Sequence, residues 1–179
     1  MSSPPTTRRA LLAGVGALAA AGGAFWYTRH APAPQAATDE SSEPIDLWSQ
    51  RFPQPDGGEL VMAELRGKPL LVNFWATWCP PCVKELPEID RFARGHAAQL
   101  NVVGLAIDSL APVQAFLKKL PMGFAVGLAG MSGTDLSRSL GNQAGALPFT
   151  VLLDAQGKLV QRKLGETHYD ELTGWAKNL

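Results

Sequence analysis

The chain has 179 residues, and its 16 Lys and Arg balance 16 Asp and Glu to a formal net charge of zero. That length suits one domain with a proper hydrophobic core, and the absence of any basic stripe removes support for nucleic-acid binding. The only two cysteines, Cys79 and Cys82, can form one bridge at most, so packing must hold the fold rather than a disulfide framework.

Composition divides the chain in three. Residues 1–9 are polar and end in Arg8-Arg9, and residues 10–27, "ALLAGVGALAAAGGAFWY", carry no charge. As a helix rising ~1.5 Å per residue this run spans about 27 Å, close to a bilayer core of roughly 30 Å. Trp26 and Tyr27 lie where interfacial aromatics belong, and the two arginines would stay cytoplasmic and send the remainder across. A cleaved signal peptide is the rival, and "TRRALL" (7–12) has the look of a twin-arginine signal. The best small-x-small site, Ala31-Pro32-Ala33, is however followed by Pro34, and proline after the cut normally blocks signal peptidase. A single-pass anchor at 1–27 is therefore expected, with a soluble exported form as the alternative. Either one delivers the domain to an oxidising compartment, the periplasm if the source is bacterial. Residues 28–43, rich in Pro, Ala and polar groups, read as a linker, and residues 44–179 as the domain.

Within the domain, "LWSQRF" (47–52) and "ELVMAEL" (59–65) flank the turn-forming "PQPDGG" and predict a β-hairpin. "PLLVNFWA" (69–76) and "NVVGLAID" (101–108) are apolar runs of the kind found in strands buried on both faces. Between them a helix is expected from about Cys79 to about Ala97. "APVQAFLKKL" (111–120) follows as an amphipathic helix, "GFAVGLA" (123–129) as a short strand and "DLSRSLG" (135–141) as a short helix. "FTVLLDAQGKLVQRKLG" (149–165) is a second hairpin, and "YDELTGWAKNL" (169–179) a closing helix. The order β-β-β-α-β-α-β-α-β-β-α predicts an α/β fold with a mixed central sheet and helices on both faces. The CxxC falls where a central strand gives way to a helix, the usual place for a site in an open α/β sheet.

A structural zinc needs four ligands, whereas two thiols are present and His30, His96 and His168 show no ligand spacing. A c-type haem site needs histidine after the second cysteine, and residue 83 is valine. A structural bridge across so short a loop constrains the unfolded chain little. A redox couple fits best, with no metal and no other cofactor. Cys79, at the helix N-terminus, is the expected nucleophile because that end stabilises a thiolate. Cys82, one turn inside, is suited to resolve a mixed disulfide.

"VNFWATWCPPCVKELP" (72–87) resembles the thioredoxin superfamily, and more closely the membrane-anchored TlpA/ResA-like thiol-disulfide oxidoreductases, over residues 44–179. The resemblance implies a thioredoxin-like fold with an N-terminal hairpin and a central insertion. It implies that Pro148 of "LPFT" (147–150) is a cis-proline facing the CxxC, with the Leu147 backbone open to a substrate strand. It also implies that Glu85, three residues after Cys82 and so on the same helix face, accepts or returns the Cys82 proton. Asn73 replaces the aspartate that thioredoxin itself carries at this strand position, which shifts proton handling toward Glu85. Trp78, Pro80 and Pro81 are candidates for the docking surface, whereas Trp75 reads as core. Pro87 should kink the active-site helix. Phe149 stands where the branch devoted to cytochrome c maturation usually has an acid, which weakens the case for a dedicated cytochrome partner.

The expected activity is reduction of disulfides in extracytoplasmic proteins by a monomer fed from a thiol-reducing membrane donor. An oxidase or isomerase, or a non-catalytic metal or haem-delivery chaperone, are the alternatives. Pro80 and Pro81 remove two amide donors from the first helical turn, so the Cys79 thiol should be only mildly acidified. Titration of thiolate absorbance is expected to place its pKa above ~4, the bottom of the range for such sites; a lower value would contradict this account of the prolines.

Overall fold

The computed structural model describes residues 46–179, so the candidate anchor and the whole of the linker lie outside the described residues. The elements are β1 (Arg51–Pro53), β2 (Glu59–Val61), β3 (Leu70–Trp75), α1 (Pro80–His96), β4 (Asn101–Ala106), α2 (Leu110–Lys119), β5 (Ala125–Leu128), α3 (Gly133–Ser139), β6 (Phe149–Leu153), β7 (Leu159–Leu164) and α4 (Tyr169–Ala176). Among the described residues no helix is long and apolar enough to cross a membrane.

Five strands form one mixed sheet in the order β5-β4-β3-β6-β7. β3 runs parallel to β4, and β4 to β5, while β6 is antiparallel to both β3 and β7. β3 lies at the centre and is buried throughout, which explains its apolar sequence, broken only by Asn73. Its alternate side chains serve two cores. Leu70, Val72 and Phe74 pack with Phe52 and Leu60 of the first hairpin and with Leu136 of α3. Leu71 packs with Ile89 and Phe92 of α1 and Leu172 of α4. Trp75, on that same face, packs with Leu86 of α1 and Val113 of α2. Helices therefore cover both faces of the sheet. The segment carrying α2 and β5 adds the edge strand beyond β4.

α1 forms because its ends and its face agree. Cys79 is the N-cap, and prolines occupy the first two helical positions, where a missing N–H costs nothing. Cys82, Glu85, Leu86, Ile89, Phe92 and Ala93 make its buried stripe, spaced at the three and four residues of a helical face. Burying Leu86, Ile89 and Phe92 stabilises by about 1.5–3 kcal/mol each. Pro87 faces solvent, and the helix continues through it to His96.

The N-terminal hairpin is shorter than its sequence implies. Its paired strands are three residues each, whereas Leu47–Ser49 and Met62–Leu65 are 3₁₀ turns. Leu47 and Met62 are buried, so their side chains imitate strand patterning while their backbones turn. Gly57 and Gly58, with φ of 96° and 86°, supply the left-handed conformations the connection needs. Phe52 and Leu60 are register partners and rest on β5 at Gly127. A methyl group on Gly127 would lie 2.8 Å from Phe52 Cβ and 3.1 Å from Leu60 Cδ2. Because Phe52 Cβ is fixed to the hairpin backbone, it cannot swing aside. Gly127→Ala is therefore expected to destabilise the domain by about 1–3 kcal/mol, read as a lower urea midpoint at unchanged slope.

Candidate redox site

Three parallel strands end at one level: Trp75 of β3 opposes Ala106 of β4, which opposes Leu128 of β5. The chain leaving β3 makes a short loop, and Cys79 and Cys82 follow, joined by a disulfide with a Cα–Cα distance of 5.3 Å. Cys79 Sγ accepts a hydrogen bond from the Cys82 amide at 3.3 Å, so the sulfur itself caps α1. Both cysteines are buried, Cys79 slightly less so. Pro80 and Pro81 between them are exposed and bring no N–H to the cap.

Asp108, just beyond β4, holds the preceding loop. Its Oδ2 accepts the Thr77 amide at 3.1 Å and the Thr77 hydroxyl at 2.5 Å, and its Oδ1 accepts the Ser109 amide at 2.7 Å. One carboxylate thus fixes the chain two residues before the nucleophilic position against the strand beside it.

Below Cys82 lies a buried polar cluster. Glu85 is inaccessible to solvent and does not behave as an ordinary surface glutamate. Its Oε1 accepts the Asn73 side-chain amide at 2.7 Å. Its Oε2 accepts the Thr167 amide at 2.6 Å and the Thr167 hydroxyl at 3.0 Å. Asn73 Nδ2 also donates to Thr150 Oγ1 at 2.9 Å, and these two residues are cross-strand partners on β3 and β6. Burial raises the Glu85 pKa above its ordinary 4.5, against the lowering pull of the Thr167 amide, the Asn73 amide and the Thr167 hydroxyl; the charge of Glu166 adds to the rise. Asn73 Oδ1 is buried without a partner. Rotating that amide by half a turn would present the oxygen to the same two neighbours. A protonated Glu85 and the Thr150 hydroxyl are the donors that such an orientation requires.

The Leu147–Pro148 peptide bond is cis, as the resemblance implied. Pro148 is buried, and Leu147 packs against the cluster that contains both cysteines. Phe149 is buried, its ring centroid 6.0 Å from that of Phe74. Trp75 belongs to the core, whereas Trp78 is exposed. Among the described residues no group of three His, Cys, Asp or Glu side chains is arranged to hold a metal ion.

Thr150, Thr167 and Asp108 are the residues that sequence reasoning passed over. Thr150 left a trace, since it and Asn73 are the single polar residues in two otherwise apolar strand runs. Thr167 left none: it reaches Glu85 across 82 residues of chain.

The raised Glu85 pKa has a consequence for stability. Between pH 4.5 and the higher folded value, the folded state keeps a proton that the unfolded state has lost. Stability therefore falls as pH rises through that window and stays lower above it. Glu85→Gln cannot ionise, and with a rotated Asn73 amide it keeps its hydrogen bonds. Its urea midpoint, measured from pH 4 to 8, is expected to lack this decline, so that the variant gains on the parent protein as pH rises.

The chain matches the model of the Redoxin family over residues 31–175. It is 32% identical over 134 residues to the thiol:disulfide interchange protein DsbE of Pseudomonas aeruginosa, covering 71% of this chain and 72% of that one. It is 29% identical over 126 residues to the thiol-disulfide oxidoreductase ResA of Bacillus cereus, covering 69% and 70%. Among solved structures, a thioredoxin-related protein from Neisseria meningitidis serogroup B superposes with a TM-score of 0.64 at 29% identity, covering 72% of this chain and 97% of that chain. A secreted disulfide oxidoreductase of Mycobacterium tuberculosis gives 0.61 at 26%, covering 74% and 97%. With a CxxC disulfide capping the helix after a central strand, the chain belongs to the Redoxin family as a ResA-like thiol-disulfide oxidoreductase of the thioredoxin superfamily.

Proposed function

We propose that the protein is a reductase of disulfides in extracytoplasmic proteins, tethered to the membrane by residues 10–27. The observation that carries this reading is the pairing of a helix-capping sulfur at Cys79 with a buried carboxyl one turn below Cys82. In the reduced state the Cys79 thiolate attacks one sulfur of a partner's disulfide. The partner's other sulfur leaves with the bond's electron pair and takes up a proton. Cys82 then surrenders its proton to Glu85 and attacks Cys79 Sγ, which releases the partner's second thiol. The partner gains two electrons, and the Cys79–Cys82 pair loses them.

Glu85 suits that role because its surroundings serve both of its states. The Thr167 amide and hydroxyl steady the carboxylate, while burial favours the neutral acid. An acid whose pKa is lifted toward ambient pH exchanges protons most readily. The exposed Trp78, Pro80 and Pro81 and the Leu147 backbone would meet the partner. The reducing direction is supported by the N-cap, where Cys82 alone of the residues from 80 to 82 brings an N–H to Cys79 Sγ. A weakly stabilised thiolate makes for a reducing rather than an oxidising couple. Because the compartment is oxidising, electrons must come from a membrane protein that passes them across, and tethering raises the effective concentration near such a donor.

Insulin reduction under a supplied thiol donor tests the reading. The parent protein is expected to turn over, and Cys82→Ser to stall as a mixed disulfide visible on a non-reducing gel. Glu85→Gln is expected to slow turnover by about 10²-fold or more, the scale of a lost acid–base group, and to flatten its pH profile. A parent protein that oxidises reduced substrates faster than it reduces insulin would reverse the proposed direction.

A further inference from the structure

The redox helix α1 and the loop before α4 are tied together twice, in step. The inner tie runs from Glu85 to Thr167, whose amide and hydroxyl reach Glu85 Oε2 at 2.6 and 3.0 Å. One residue earlier in both segments, Lys84 Nζ lies 2.7 Å from Glu166 Oε1 and donates to Oε2 at 3.0 Å. The ammonium therefore sits astride the carboxylate. Glu85 and Thr167 are wholly inaccessible, whereas the side chains of Lys84 and Glu166 are 71% and 21% exposed. The outer pair thus stands on the solvent side of the inner one.

A buried acid that serves as a base must also release what it takes up. In each turnover Glu85 receives the Cys82 proton and has to lose it before the next. Of its hydrogen-bond partners, the Asn73 amide and the Thr167 backbone N–H are donors that cannot carry a proton away. The Thr167 hydroxyl can accept one proton while it releases its own. Among the described residues it is the polar link from Glu85 toward solvent, and it lies in the seam that Lys84 and Glu166 cover.

The charges facing that seam are few. β3 and β6 carry no ionisable side chain. On α1, Glu88 accepts the Tyr169 amide at 3.2 Å, and Lys163 of β7 is paired with Glu171 of α4. His168 Nδ1 is 3.8 Å from Glu166 Oε1, too far for a hydrogen bond. Glu166 is the charge that acts on Glu85, and it makes the buried acid hold its proton more tightly. Two carboxyl groups thus border Thr167, and like charges so placed resist ionising together. Lys84, in contact with both oxygens of the outer one, offsets that repulsion.

We propose that Lys84 and Glu166 are a positioning pair for the redox reaction: they close the seam over Glu85, and the balance of their two charges governs when it takes the Cys82 proton. This deepens the reductase reading and rests on it. The pair acts through its place rather than its strength, since exposed ion pairs add little to stability. Opposite charges act oppositely on a neighbouring acid. Loss of Glu166 lets Glu85 ionise at lower pH, and loss of Lys84 delays its ionisation to higher pH.

The experiment isolates the step in which Cys82 surrenders its proton. Reduced protein is mixed in stopped flow with the symmetric disulfide of thionitrobenzoate. The Cys79 thiolate attacks one sulfur and releases the first coloured thionitrobenzoate with the bond's electron pair. Cys82 then loses its proton to Glu85 and attacks Cys79 Sγ, which releases the second. The two cysteines lose two electrons and the reagent gains them. The rate of the second release is expected to rise with pH along one limb, because ionised Glu85 is the base. Glu166→Gln should move the midpoint of that limb down by about half a pH unit, and Lys84→Met should move it up by about as much. A strap that only held the seam shut would admit water when cut at either end and shift both variants the same way. That outcome, or a variant with no shift, overturns the pair. Both shifts should persist in a His168→Asn background, and their loss there overturns it too. Failure of the underlying reading looks different: Glu85→Gln that keeps the limb removes the proton role of Glu85, and a reduced parent protein that releases only one thionitrobenzoate overturns the reductase reading itself.

Discussion

The structure is organised around a carboxyl group that has no contact with water. Glu85 lies in the buried stripe of α1, directly after the helical turn that holds both cysteines. Removing an ionised carboxylate from water without partners would cost several kcal/mol. The fold answers with three donors from two directions: Asn73 from the central strand below, and the amide and hydroxyl of Thr167 from the loop before α4. Glu85 therefore ties α1 to β3 and to the 165–168 loop, and Asn73 extends the tie to Thr150 of β6. Each is also held by ordinary packing, and the polar cluster adds directional bonds between α1 and the strand that presents it.

The same strand sets the rest of the site. β3 is the one strand with a parallel neighbour on one side and an antiparallel neighbour on the other. On its parallel side, chains leave the sheet upward and turn away, giving the Trp78 loop, the Asp108 turn and the Met131 turn. On its antiparallel side, β6 enters from above, so the cis Leu147–Pro148 bond arrives at the same edge. A thiol-disulfide exchange site needs a sulfur at the surface's edge, a helix to stabilise it and a surface to receive a partner. The mixed topology brings all three to one rim without any long excursion of the chain.

Much of this was legible before any coordinates. The apolar runs at 69–76 and 101–108, the glycine-bearing turn at 57–58 and the CxxC between a strand and a helix each follow from local chemistry. Where the sequence misled, the cause was local too. Leu47 and Met62 are buried from 3₁₀ turns, and burial alone cannot distinguish a turn from a strand end. Glu85 was nameable from the family resemblance, with its spacing to Cys82 as the physical reason, but its complete burial was not. Its side-chain partners come from β3 and from the far end of the chain. Thr167 is the clearest case, since an isolated threonine after a hairpin has no local property that marks it as the partner of an acid 82 residues earlier. Pairwise long-range contacts of this kind are set by topology, and topology is what a single sequence encodes least directly.

Asn73 gives the cluster its final logic. An aspartate there would place a second ionisable group 2.7 Å from Glu85 Oε1, and two carboxyls at that distance would share one proton and titrate as a coupled pair. The amide removes that coupling and leaves a single group to titrate. It also offers a donor on one side and an acceptor on the other. As drawn, Nδ2 faces the carboxylate and Oδ1 stands unpaired, which is the arrangement suited to ionised Glu85. Once Glu85 is protonated its oxygen becomes a donor, and the unpaired Oδ1 is the acceptor that it needs. The orphaned acceptor beside an acid of raised pKa is therefore no packing defect: it is the atom that a half-turn of the Asn73 amide brings to Glu85 when the acid takes up its proton.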